Sequence, residues 1–440
     1  MSEPDVSTLL TVRQAIEIID AAEVRPGVIR LPLEQAQGLY LAQELAADRD
    51  YPPFDKSLMD GYAVRCGDAA GAPVELRLIG EVAAGREASR SLAAGETMAI
   101  MTGAPIPPGA DGVVPIEETT RHGDMVRILR AENPSRFIAR RGADIRQGQV
   151  VLKRGVELQP AQLAVAATIG AHQLDVHPRV RVAVLATGDE IIPIDAFPAG
   201  AQIRNSNSLM LEALLKRLGC DVTDLGIAPD DPDIIRAAII QGQTYDALFI
   251  SGGMSMGAYD YVPGLLKELQ YDLRITKLRI KPGKPFVFGV REGSGVRVQG
   301  SGKAGEEKTG TGTISSSFLN PAPQTPNPGQ VFVFGLPGNP VSGFACTVRL
   351  ASRLLTRLAG GVPVERWVPA RLSQPLGANG PREFYQPAQL EWGAEGPIVT
   401  PLTWKGSADL FTLAVADCLI VRAENQGALD AGGVVQVLEI

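Results

Sequence analysis

A chain of 440 residues is long enough for roughly two to four domains, each with a core of its own. Lys and Arg number 42 against 49 Asp and Glu, a formal charge of −7, which argues against a nucleic-acid or anionic-membrane surface as the main partner. The 4 cysteines (Cys66, Cys220, Cys346, Cys418) are scattered and there are only 3 histidines (His122, His172, His177), with no partner spacing, so neither a zinc site nor a disulfide framework is expected.

The N-terminus has no basic-then-apolar signal pattern and no apolar run could span a bilayer, so a soluble, cytoplasmic protein is expected. Thr11 and Gln14 fit a capping box, and Val12, Ala15, Ile16 and Ile19 share one face of the helix that follows. From Tyr51 to Arg140 short β-rich runs are broken by Gly and Pro, which reads as a β lobe. Its Asp60-Gly61 and Thr102-Gly103 pairs read as turns. A helix is expected at Pro160 to Ile169. From Val180 the texture alternates. Strands are expected at Val180–Ala186, Val222–Gly226, Ala247–Ser251, Thr276–Ile280 and Val331–Phe334. Helices are expected at Ser208–Leu218, Pro232–Gln241, Tyr259–Leu269 and Pro340–Leu358. Such alternation predicts a doubly wound parallel sheet with helices on both faces, and Gly219 supplies a left-handed helix end. Arg291 to Gln330 is rich in Gly, Ser and Pro and poor in apolar residues, so a disordered insertion is expected there. The stretch from Val362 to Ile440 returns to short strands, a small C-terminal β domain.

The loop Ser251-Gly-Gly-Met-Ser-Met-Gly257 follows a short apolar strand, and Asp260 follows the loop. At the carboxyl end of a parallel strand such a loop aims N–H groups at one spot and suits a phosphate. It lacks the lysine and spacing of a Walker A loop, which argues against ordinary nucleotide hydrolysis. In Lys281-Pro-Gly-Lys-Pro285 two lysines flank a rigid turn, a candidate oxyanion site as opposed to a merely solvated one. Gly335-Leu-Pro-Gly-Asn-Pro-Val-Ser342 joins a strand to a helix, with Asn339 at the N-cap position and Pro340 in the first turn. The first N–H groups and the Ser342 hydroxyl would attract an anion, although the segment reads equally as a plain turn. Glu190, Asp230 with Asp231, and Asp260 each follow a strand, so the topology gathers them at one sheet edge. Each alone reads as a helix cap, Asp231 before Pro232 especially. Together they suit a Mg²⁺ ion bridging phosphate oxygens.

Taken in order, Asp55-Lys-Ser-Leu-Met-Asp-Gly-Tyr-Ala-Val64, Met101-Thr-Gly-Ala-Pro105, Arg140-Arg-Gly-Ala-Asp-Ile145, Ala186-Thr-Gly-Asp-Glu190 and the three Gly-rich loops (251–257, 281–285 and 335–342) resemble the molybdenum insertase family of molybdenum-cofactor biosynthesis, which includes bacterial MoeA and the E domain of animal gephyrin. The resemblance runs nearly end to end. It implies an elongated homodimer whose subunit has four domains: a linking α+β domain (1–50 plus 141–178), a β-rich lobe (51–140), a Mog-like molybdopterin-binding α/β domain (179–360, with 291–330 inserted) and a C-terminal β domain (361–440). The implied reaction takes adenylylated molybdopterin and molybdate, hydrolyses the phosphoanhydride with Mg²⁺, and releases AMP as molybdenum enters the dithiolene.

By the same resemblance Ser251, Gly252, Gly253, Ser255 and Gly257 hold the pterin-side phosphate. Lys281, Lys284 and Ser342 hold molybdate, and Pro337, Gly338, Asn339 and Pro340 join them as substrate-binding residues. Asp60, Thr102, Asp144, Glu190, Asp230 and Asp260 form the catalytic set, with Glu190, Asp230 and Asp260 as metal ligands. Arg382 and Ser407 are carried over on weaker matches. Arg382-Glu-Phe-Tyr-Gln386 places Gln386 where the family commonly has a further arginine. An adenylyltransferase and apo-molybdoenzymes fit as further partners. Two other readings stay open: a Mog-like molybdopterin adenylyltransferase, which shares the Ser/Gly loop and the Pro-Gly-Asn-Pro turn, and a non-catalytic molybdopterin-binding scaffold.

Overall fold

The computed structural model describes residues 9–254, 260–293 and 329–440, in two compact units: Met1–Ile29 with His177–Ile440, and Arg30–Val176. In the first unit the chain runs β1 (Arg181–Thr187), α1 (Ser206–Arg217), β2 (Asp221–Ala228), α2 (Pro232–Gly242), β3 (Ala247–Ser251), α3 (Val262–Glu268), β4 (Asp272–Ile275), β5 (Ile280–Lys281), β6 (Val287–Glu292), β7 (Gln330–Leu336), α4 (Pro340–Cys346) and α5 (Ser352–Leu358). The sheet order is β2-β1-β3-β7-β6-β4. The first four strands are mutually parallel, so their carboxyl ends share one edge, whereas β6 and β4 pair antiparallel.

Strand alternation decides which helices lie where. Val182, Val184, Phe249, Phe332 and Phe334 point to one face, packed with α1, α5 and the helix Val12–Asp20. Ala183, Leu185, Leu248, Ile250, Val331 and Val333 point to the other, against α2 and α3. Burial on both faces explains why these strands read as near-continuous apolar runs. The Thr11/Gln14 capping box is formed, and Val12, Ala15 and Ile19 are buried in the α/β core. Residues 9–29 therefore belong with this unit and not with the linking segment.

The C-terminal strands β8 (Trp367–Leu372), β9 (Glu383–Gly393), β10 (Gly396–Pro401), β11 (Cys418–Arg422) and β12 (Val434–Glu439) form a sheet in the order β5-β9-β10-β8-β12-β11, closed on itself by a β9–β11 pairing. In the second unit the β-rich lobe is a six-stranded sheet including Gly61–Val64 and Glu96–Ile100, and the expected helix is present at Pro160–Thr168. Among the described residues no helix is long and apolar enough to cross a membrane.

Several expectations need correcting. No strand forms over Thr276–Ile280. The edge strand is Asp272–Ile275, and Ile280 with Lys281 joins the C-terminal sheet through Glu383 and Phe384. The strand β6 was not anticipated, and it breaks the parallel pattern. Helix Tyr259–Leu269 starts only at Val262 among the described residues. Pro340–Leu358 is interrupted by a π-helical turn, Thr347–Ala351. Most of the expected insertion lies outside the described residues, but Arg291, Glu292 and Gln330 at its ends are paired strand residues.

Those ends matter for the site. Glu292 pairs with Gln330 at the start of β7, and Gly293 N–H donates to the Gly329 carbonyl at 2.8 Å. The Pro-Gly-Asn-Pro turn follows the opposite end of β7, about 20 Å away at ~3.3 Å per residue. Replacing residues 294–328 with a two-residue link is therefore expected to keep turnover within about twofold and not to lower the thermal midpoint. A tenfold loss of turnover would give the segment a role at the site.

Candidate functional site

Four consecutive positions along the sheet edge carry the candidate site: the segments after β2, β1, β3 and β7. After β3, Gly252 and Gly253 adopt φ of +102° and +63°, conformations that side chains resist. The chain must also pass close to β1: a Cβ on Gly252 would lie 2.4 Å from the Thr187 carbonyl oxygen, and one on Gly253 would lie 3.0 Å from the Thr187 hydroxyl. That hydroxyl is buried and has no hydrogen-bond partner among the described residues. The Gly252 N–H donates to the Leu336 carbonyl at 3.2 Å, so it ties β3 to β7 and is not one of the N–H groups open to an anion. Ser255 and Gly257 lie outside the described residues.

After β7, Pro337 is buried while Gly338 and Asn339 are exposed. A Cβ on Gly338 would sit 3.8 Å from the Gly252 Cα, so the two Gly-rich loops touch. Pro340 opens α4 and Asn339 occupies the N-cap position, but the Asn339 side chain makes no capping bond. Its Nδ2 donates instead to the Ser407 hydroxyl at 2.9 Å, and the Val341 N–H donates to the Ser407 carbonyl at 3.1 Å. The expected free N–H at the start of this helix is thus partly used, and Ser407 is brought to the turn. Ser342 is buried one step further along.

The Lys-Pro-Gly-Lys turn packs on the same helix. Gly283, at φ +121°, would place a Cβ 2.5 Å from the Cys346 Sγ and 3.9 Å from the Ser342 carbonyl. Lys281 is exposed, with its Nζ 4.6 Å from the centroid of the Phe384 ring, and Lys284 is half-buried. Arg382 immediately precedes β9, whose Phe384 pairs with Lys281. Its carbonyl accepts from Asn379 Nδ2 at 2.9 Å, and Gln386 Nε2 donates to the Leu402 carbonyl.

On the far side of the Gly252 loop lie the acids. Burial pushes the Asp230 carboxyl above its ordinary range, and the charges of Asp189, Glu190 and Asp260 push the same way, which places each of the three within electrostatic reach of Asp230. The Asp230 N–H donates to Asp189 Oδ1 at 3.0 Å, and Asp231 caps α2 by accepting from the Asp233 and Ile234 N–H groups. Among the described residues no group of three or more His, Cys, Asp or Glu is arranged to enclose a metal ion.

Three of the expected residues belong to the second unit. Asp60 accepts from the Thr102 N–H at 2.6 Å and from its hydroxyl at 2.8 Å, bonds that hold the carboxyl below its ordinary range. Both residues are exposed. Asp144 is exposed and its N–H donates to the Tyr51 carbonyl.

Comparison with known proteins settles the family. Profiles of the MoeA N-terminal region (domains I and II), a probable molybdopterin binding domain and the MoeA C-terminal region (domain IV) match residues 10–170, 183–357 and 369–440. The chain is 36% identical over 293 residues to the molybdopterin molybdenumtransferase of Synechococcus elongatus, covering 64% of this chain and 72% of that one. The chain belongs to the molybdopterin molybdenumtransferase family.

A relative of the same name from Haemophilus influenzae is 28% identical and covers 92% of each chain. The molybdopterin biosynthesis MoeA protein of Pyrococcus horikoshii superposes with a TM-score of 0.74 at 28% identity, covering 98% of this chain and 99% of that one. The fold is thus MoeA-like, and the chain is a transferase of molybdenum-cofactor biosynthesis. A cavity of about 650 Å³ elsewhere, lined by Arg349, Arg353 and Trp392, holds none of the site residues, and these two half-buried arginines are already paired with Glu365 and Asp20.

Sequence reasoning missed Asn207, whose side chain bridges the two Gly-rich loops. Its only signal was the polar run Asn205-Ser-Asn207 ahead of a helix on the same sheet edge. The backbone constraint at Gly252 is testable. Gly252→Ala is expected to destabilise by about 1–3 kcal/mol and to abolish most turnover, because both φ and the Thr187 carbonyl oppose a Cβ. Gly264→Ala in α3, where a Cβ meets nothing within 4 Å, is the control and is expected not to destabilise. Thermal unfolding and turnover of the two variants decide it.

Proposed function

We propose that this edge of the sheet inserts molybdenum into molybdopterin, taking adenylylated molybdopterin and molybdate as substrates and releasing AMP. The contact between the Gly252 loop and the Gly338 turn carries the reading, since it sets two anion-holding elements side by side on neighbouring strands. The Ser251 loop holds the phosphate end of the pterin substrate. Lys281, Lys284 and Ser342, on a turn and a helix packed together, hold molybdate as an oxyanion, with Arg382 and Ser407 at its margin. Neighbouring cations and a helix start attract a dianion, while the acids stand on the opposite side of the loop.

Glu190, Asp230 and Asp260 would hold Mg²⁺. Their donor set is all oxygen, and the charges of Glu190 and Asp260, which add to burial in raising the Asp230 carboxyl, are what a cation there would offset. Bound there, the ion supplies charge neutralisation at the phosphoanhydride. Water then attacks the anhydride phosphorus, the P–O bond to the leaving phosphate breaks, and AMP departs with the proton taken up by a carboxylate of this set. Asp60, Thr102 and Asp144 enter the proposal on family resemblance. A homodimer in the cytoplasm is part of the same reading.

Incubation with adenylylated molybdopterin, Mg²⁺ and molybdate should release AMP and form molybdenum cofactor. Wild-type protein that does neither would sink the insertase reading. Lys281→Ala is expected to raise the molybdate concentration needed for half-maximal turnover by about tenfold, as for loss of one charge-assisted contact, while pterin binding stays within about twofold. Equal loss of both would contradict the assignment of Lys281 to molybdate.

A further inference from the structure

Asn205 and Asn207 lie at the start of α1 and do different things. Asn205 caps the helix, its Oδ1 accepting from the Ser208 N–H at 3.1 Å. Capping therefore needs nothing from Asn207, which is a poor helix former and gains nothing from this position on propensity grounds. Its Nδ2 donates to the Gly338 carbonyl at 2.6 Å and to the Ser251 hydroxyl at 3.0 Å. A carbonyl can only accept, so the Gly338 bond fixes which end of the carboxamide is nitrogen. The Oδ1 is then left buried, with no hydrogen-bond partner among the described residues. A buried acceptor without a partner is costly, so the nitrogen's two bonds must justify the residue.

Ser251 ends β3 and Gly338 follows β7, so both stand at the carboxyl ends of adjacent parallel strands. The Gly252–Leu336 backbone bond and the Gly252–Gly338 contact also link the two segments, but both act through Gly252 and neither reaches the Ser251 side chain. We propose that Asn207 is a positioning residue for the transfer reaction: its carboxamide clamps the Ser251 loop to the Gly338 turn and so fixes the separation at which the two anionic substrates are held. This rests on the insertase reading of the site. A neutral donor suits the place. An ammonium or guanidinium there would draw the phosphate off the Ser251 loop, and a carboxylate would face the Gly338 carbonyl without a proton to offer.

The test compares wild type with Asn207→Ala, Asn207→Asp, Ser251→Ala and the Asn207→Ala/Ser251→Ala double variant, using adenylylated molybdopterin, Mg²⁺ and molybdate. Asn207→Ala is expected to raise KM for the pterin substrate about tenfold, the scale of losing two neutral hydrogen bonds, with kcat changed far less and the thermal midpoint held. Asn207→Asp preserves shape and should be worse than alanine. In the double variant the KM effects should combine to less than the product of the single effects, because Asn207 acts through Ser251. Unchanged KM in Asn207→Ala, or full multiplicativity, would overturn the clamp. Amide exchange on the substrate-free protein tests the clamp independently of turnover: protection in residues 251–254 and at Gly338 and Asn339 should fall in Asn207→Ala and Asn207→Asp, and unchanged protection would also overturn it. Wild-type protein without turnover defeats the insertase reading instead, and the exchange result still decides the clamp.

Discussion

The backbone of Gly252 runs against the carbonyl of Thr187 so closely that no side chain fits between them. Everything at the sheet edge follows from that approach. It draws the loop after β3 down onto the end of β1, which brings the Ser251 hydroxyl to Asn207 and the Gly252 N–H to the end of β7. A parallel sheet spaces its strands by about 4.8 Å, so segments leaving neighbouring carboxyl ends are close from the start. What the glycines add is a path flat enough for those segments to touch. A second glycine, Gly335, performs the same service beneath: a Cβ there would lie 2.2 Å from the Met254 Sδ, so the loop's own methionine is anchored in the core below it.

Charge is sorted along this edge. Asp189, Glu190, Asp230 and Asp260 gather at the β1 and β2 end, while Lys281, Lys284 and Arg382 come from the turn and strand beside α4. The net charge of −7 says nothing of this, because the sorting is made by topology and not by composition. The same separation lets a chain with an acidic balance keep a locally basic stretch. Local fields at a sheet edge are set by the few groups within a Debye length, about 8–10 Å.

Much of the α/β part was legible because both periodicities were strong. Ala247–Ser251 is an unbroken apolar strand, and Asp231-Pro232 announced α2 by a cap and a first-turn proline. The misreadings have physical causes. Strand β6, Val287–Glu292, is as apolar as its neighbours, but the Lys-Pro-Gly-Lys turn before it and the Gly-rich segment after it masked its ends. Ile280 and Lys281 look like the end of a strand because they are one, only of another sheet, and pairing partners about a hundred residues away leave no local trace. Asn339 has the composition of a cap and the position of one, yet its side chain is taken by Ser407 across a domain boundary. Asn207 escaped because a polar residue in a helix's first turn has many ordinary explanations.

The contact of Asn339 with Ser407 is one of several by which the C-terminal barrel fixes the helix that follows β7. In the π-helical turn, Arg349 donates through Nε to the Tyr385 hydroxyl at 2.8 Å and pairs with Glu365, and Tyr385 donates in turn to Glu383. Arg353, one turn on, pairs with Glu365 and with Asp20 at the end of the N-terminal helix. Burial raises the Glu383 carboxyl and holds the Tyr385 hydroxyl far above its usual range, so this network is desolvated and its members depend on one another. It lies at the start of β9, where Phe384, between Glu383 and Tyr385, stands against Lys281. The barrel therefore does more than decorate the α/β domain. Through Tyr385 it holds the interrupted helix, through Phe384 it holds Lys281, and through Ser407 it holds the turn at Asn339, so the placement of the lysines relative to Ser342 is a property of the two domains together.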